Sequence, residues 1–69
     1  MDQVKIGKFI SNERKAKGYT QKQLSELTGI TQGDISKLEN GSANPSIKTL
    51  QRLANALGMM LKIEFVPVK

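Results

Sequence analysis

The sequence predicts a mainly α domain of four to five helices, followed by one short C-terminal β-strand. Three observations point there. Leu24 with Leu27, and Ile35 with Leu38, repeat apolar residues at helical spacing. Gly18, Gly29 and Gly58 stand where such stretches stop, and Thr20, Thr31 and Ser46 where they start. After Gly58 the period falls to two: Leu61, Ile63 and Phe65 alternate with Lys62, Glu64 and Val66.

Taken in order, Met1 to Lys5 carries little signal and is expected to be loose. Residues 6–17 read as a helix whose apolar face holds Ile6, Phe9, Ile10 and Glu13 or Arg14. Lys5, Lys8, Lys15 and Lys17 flank that stripe as a solvated face. Thr20 and Gln23 stand at capping-box spacing and open a second helix. Gly29 ends it in a left-handed conformation. Ile30 then plugs the space between two helices, and Thr31, with Asp34 three residues on, caps the next, residues 32–40. Residues 41–45, Gly-Ser-Ala-Asn-Pro, are a loop by composition. Either Ser46 caps the following helix, or Asn44 does with Pro45 at its first position. Ile47, Leu50, Leu53, Ala54 and Leu57 form a broad stripe that closes the core, with Lys48, Gln51 and Arg52 outward. One domain, residues 1–69, therefore divides into a helical core, 6–58, and a strand, 60–66.

Composition narrows the chemistry. A core of 69 residues supplies little stability alone, so a dimer or another partner would help. With no Cys and no His, the chain offers no disulfide, no thiolate site and no imidazole base or ligand. Glu26, Asp34 and Glu39 are scattered acids, which argues against an enzyme, a metal or a cofactor. The apolar runs are too short for a signal peptide or a membrane span, and a cytoplasmic location is expected. Eleven Lys and Arg against six Asp and Glu give a net charge of +5, which suits a polyanion. One Tyr and two Phe are too few stacking surfaces for single-strand binding.

Helix, glycine turn, helix is the layout of a helix-turn-helix, though periodicity alone fits a plain helical hairpin equally. The polar face of residues 32–40 favours the former. It presents Gln32, Gly33, Ser36 and Lys37 where an ordinary solvent face would carry stronger helix formers. Gln pairs two-pronged with adenine, and Lys reaches guanine acceptors or phosphate. Gly33 costs about 1 kcal/mol inside a helix. It is either an aid to close approach of the backbone or a tolerated residue at a frayed helix start.

The stretch TQKQLSELTGITQGDISKLENG resembles the helix-turn-helix of phage repressors of the Cro/cI type, the large XRE-like family. The match covers residues 6–58. It implies a lambda-repressor-like fold and a sequence-specific regulator of double-stranded DNA, most simply a dimeric repressor on a palindromic operator. It also implies base contacts from Gln32 and a groove-facing set of Gly33, Ser36 and Lys37. Gly33 departs from the family, where a longer polar side chain is common. Gln21 and Asn40 are implied as phosphate contacts, and Arg14 as the ion-pair partner of Glu39. Loop backbone and side chains add Ser42 and Asn44, or else form a simple connector, and Thr31 at the helix start completes the phosphate set.

A lone strand leaves its ladder groups unpaired. Residues 60–66 are therefore expected to pair with a second copy, with Leu61, Ile63 and Phe65 in the dimer interface and Met59 and Met60 as soft filler. The alternative is an extended tail along its own domain. Small antitoxins of toxin–antitoxin pairs look similar in this last segment, which would add a toxin as a partner. A protein-interaction module on the same fold is the other reading.

Overall fold

The computed structural model describes residues 2–68, and its order is α1 (Gln3–Ala16), α2 (Gln21–Thr28), α3 (Gln32–Glu39) and α4 (Ile47–Ala56). The first helix starts earlier than the apolar spacing predicts. Asp2 is its N-cap, with Oδ1 accepting the Val4 N–H at 2.9 Å and the Lys5 N–H at 3.4 Å. Residues 2–5 are thus fixed rather than loose, by a capping residue that lies outside the apolar stripe.

The other starts follow the expected chemistry. Thr20 Oγ1 accepts the Gln23 N–H at 3.0 Å while Gln23 Oε1 accepts the Thr20 N–H at 2.8 Å, a complete capping box. Thr31 Oγ1 accepts the Asp34 N–H at 3.1 Å. Ser46, not Asn44, caps α4 by accepting the Thr49 N–H at 3.1 Å. Gly29 closes α2 at φ 76°, a left-handed conformation that a side chain would strain.

The core is Ile10, Leu24, Ile35, Leu38, Leu50, Leu53 and Leu57, drawn from all four helices and the end of α4. Ile30 packs against it as the expected plug. Three sequence-assigned apolar-face positions are exposed, the first being Phe9 of α1 at 53%. Leu27 lies about 60° round the helix from Leu24, and an eight-residue helix buries too narrow a face to cover both; Leu27 is 57% exposed. Ile47 opens α4 ahead of the buried stretch and is also exposed.

The predicted strand at 60–66 does not form. Residues 59–68 have no regular secondary structure, and no strand occurs among the described residues. A strand needs a neighbour about 4.8 Å away to take its N–H and C=O groups, and the described chain provides none. Leu61 packs half-buried against the core, but Ile63 and Phe65 are exposed. Beyond Leu61 the segment, an arm of residues 62–68, matches neither the paired strand nor a tail packed along its own domain.

Candidate nucleic-acid interface

Two buried side chains set the attitude of α3. Ile35 is fully buried and Leu38 nearly so, so the side of α3 between them is fixed to the body. Gln32, Gly33, Asp34, Ser36 and Lys37 all remain exposed. The four residues expected at base edges, Gln32, Gly33, Ser36 and Lys37, are thus on open surface together. No heavy atom outside the immediate neighbourhood lies within 4 Å of a Cβ built on Gly33, and its φ is not positive. Neither the fold nor the backbone requires glycine there.

The far end of α3 is held by α1. Gly7 is buried where the helices cross, and a Cβ added to it would collide with the Leu38 carbonyl oxygen. The missing side chain therefore lets α1 rest directly on the α3 backbone. Gln3 Nε2 donates to the Gly41 carbonyl at 2.9 Å, just past the helix end. Neither contact was read from the sequence. Gly7 sits inside a helical pattern, and nothing local distinguishes a glycine at a crossing from a tolerated one.

The Arg14–Glu39 pair implied by the family resemblance is present. Arg14 Nε and NH2 reach the two Glu39 oxygens at 2.7 and 2.9 Å, a two-pronged bond, while NH1 donates to the Tyr19 carbonyl at 2.7 Å. The two side chains are only 10% and 7% exposed. The hydrogen bond to Glu39 is the largest influence on Arg14 and, against desolvation, raises its pKa. Burial pushes the Glu39 carboxyl up most strongly, but the bonds from Arg14 and Gln21, with the guanidinium charge, together hold it below its usual range. One network thus ties α1, the start of α2 and the end of α3 together.

The expected phosphate contacts divide into two kinds. Gln21 is half-buried, and its Nε2 donates to Glu39 Oε1 at 3.1 Å, so one amide proton is engaged inside the chain and the other is held at a fixed place. Thr31 is exposed and uses its oxygen as the α3 cap. Asn40 is exposed, with Oδ1 accepting the Ser42 N–H at 3.0 Å; its NH2 remains as the outward donor. Ser42 is exposed, but its N–H and Oγ both donate to the Lys37 carbonyl, at 3.0 and 3.2 Å. Asn44 stands exposed in the loop, apart from this network.

Four helices, a left-handed glycine turn and an anchored helix with an open polar face define a helix-turn-helix domain. Residues 10–60 match the family model described as Helix-turn-helix, and the chain belongs to that family. It is similar to the SPbeta prophage-derived HTH-type transcriptional regulator YonR of Bacillus subtilis, with 40% identity over 54 residues, 78% of this chain and 50% of that protein. It is 38% identical over 66 residues to an HTH-type transcriptional regulator of Haemophilus influenzae, covering 96% of this chain and 67% of the relative. Among solved structures, the restriction-modification controller protein C.AhdI of Aeromonas hydrophila superposes with a TM-score of 0.82 and 34% identity, over 84% of this chain and 88% of that one. The chain thus spans half the length of YonR. The family is one of regulators rather than of enzymes. No helix among the described residues is long and apolar enough to cross a membrane.

Proposed function

We propose that the chain is a sequence-specific double-stranded DNA-binding transcription regulator, acting as a homodimeric repressor on a palindromic operator. The observation that carries this reading is the polar side of α3, left open while Ile35 and Leu38 hold the helix from behind. Gln32, Ser36 and Lys37 read base edges in the major groove, and Gly33 lets the backbone come close. Gln21, Thr31 and Asn40 fix the register on phosphates, with Ser42 and Asn44 at the margin. The net charge of +5 supplies the sequence-independent part of the affinity. Repression follows from occupying promoter DNA, and a chain working on DNA resides in the cytoplasm.

Selection of bound sequences from a random duplex pool tests this directly. The expected product is an inverted repeat with half-sites one helical turn, about 34 Å, apart. Failure to enrich any duplex would overturn the reading. An antitoxin shares the same DNA face and differs by a second protein bound elsewhere. The exposed apolar residues after α4 favour a protein contact there. Co-purification with a toxin encoded beside this gene would select that version.

A further inference from the structure

Asp34 is the third residue of α3 and is exposed. Its N–H is held by the Thr31 hydroxyl oxygen at 3.1 Å, but its carboxylate returns no bond to the Thr31 N–H. The residue at the same place in α2 does return one: Gln23 Oε1 accepts the Thr20 N–H. The Asp34 carboxylate makes no hydrogen bond or ion pair among the described residues. The fold therefore uses the backbone of this residue and leaves its side chain idle. The positive end of the helix dipole accounts for an acid in a first turn, but not for an acid on a face that meets phosphates. A negative charge there weakens attachment to every duplex alike. Lys37 is three residues on, so the two side chains are neighbours on the helix surface, with about 5–6 Å between their Cβ atoms. Both are exposed, and no ion pair joins them. An acceptor and a donor thus stand side by side on α3.

We infer that Asp34 and Lys37 together read one C·G base pair of the operator, the Asp34 carboxylate accepting from the cytosine N4 amino group and Lys37 donating to the guanine acceptors. This deepens the DNA-binding reading of the proposed function and rests on it. A carboxylate only accepts hydrogen bonds. In the major groove only cytosine N4 and adenine N6 donate, so guanine and thymine edges repel it. Adenine carries its N7 acceptor beside N6, which opposes the second carboxylate oxygen, whereas cytosine has no acceptor there. The guanine paired with that cytosine presents O6 and N7, the acceptors that suit an ammonium. Base edges are met by the N-terminal residues of a recognition helix, and Asp34 lies in the first turn of α3.

The test is selection from a random duplex pool with the full chain, repeated with Asp34→Ala and Asp34→Asn. The unaltered chain should enrich C·G at one position of each half-site, with cytosine preferred by about 5- to 150-fold over the other bases. Asp34→Ala should lose the preference at that position alone, and its affinity for unrelated duplex should rise as the repulsion from phosphate is removed. Asp34→Asn should change the preferred base from cytosine to adenine, because an amide pairs two-pronged with adenine N6 and N7. A residue that only steadied the helix would leave the preferred base in place in both variants. The carboxylate holds no other described group, so both variants should stay folded. An enriched site without that cytosine, or one that keeps it in Asp34→Asn, overturns the proposal and leaves the DNA-binding function standing. An unaltered chain that enriches no duplex sinks the DNA-binding function and the proposal with it.

Discussion

The polar side of α3 and the C-terminal arm are both exposed, yet they differ in what holds them. The α3 face is presented by a helix fixed at three places: Ile35 and Leu38 beneath it, Gly7 against its last turn, and the Arg14–Glu39 bond at its end. The arm leaves the body after Met59 and Leu61, which pack against the core, and its later apolar side chains run into solvent. Rigid presentation suits a partner whose shape is already set, such as a duplex groove, where donors must arrive in register. A loosely attached apolar segment suits a partner that orders it on binding.

That contrast breaks first at Gly7. Gly7→Ala should destabilise the chain by about 3 kcal/mol or more, at the upper end of overpacking costs, and misplace α3 if the chain still folds. An unchanged urea midpoint would show that α1 does not rest on α3. Arg14→Ala should cost about 2–3 kcal/mol, between an exposed pair and a fully buried one. That corresponds to roughly 10–20 °C in melting temperature for so small a domain. The same bond has a pH signature. The Glu39 carboxyl is depressed on folding, so its contribution is present above the unfolded value of about 4.3 and is lost as pH falls below it. Glu39→Gln should flatten that acid limb of the stability profile; a limb of unchanged steepness would remove Glu39 from the account.

On the DNA side, Gln32→Ala should cost about 1–3 kcal/mol in binding and relax base preference at one position. Retention of both the preferred sequence and the affinity would reassign that residue. Gly33→Ala is a sharper probe because the two properties should move oppositely. The fold has room for the methyl group, so stability should rise by about 0.5–1 kcal/mol. If glycine serves close approach to the groove, affinity should fall at the same time, and a joint rise would return Gly33 to a frayed helix start. The smallest effect belongs to the arm: Phe65→Asp should shift the melt of the dilute chain by less than about 0.5 kcal/mol, and a larger loss would mean that the arm packs on its own body.

The two regions were not equally legible. Thr20 with Gln23, Gly29, and Thr31 with Asp34 each act within four residues, and each bond they imply is present. Residues 61–66 carry an equally clear alternation, but alternation states only which side chains share a face. Pairing has to come from another segment, and none of the described residues pairs with it. Leu27 and Ile47 failed for a related reason. Helical spacing names a candidate face, while the width actually covered depends on which neighbours arrive.

The sequence by itself determined where α2 and α3 begin, the turn between them, and the polar residues of α3, since capping and turn chemistry are short-range; for α4 it left Ser46 and Asn44 as rival caps. Only the tertiary structure decided that Gly7 is a crossing point, that Gln21 bonds Glu39, and that the last residues lie off the body as an arm. Each of these depends on atoms many positions apart in the chain, whose meeting is fixed by how the helices pack rather than by any local pattern.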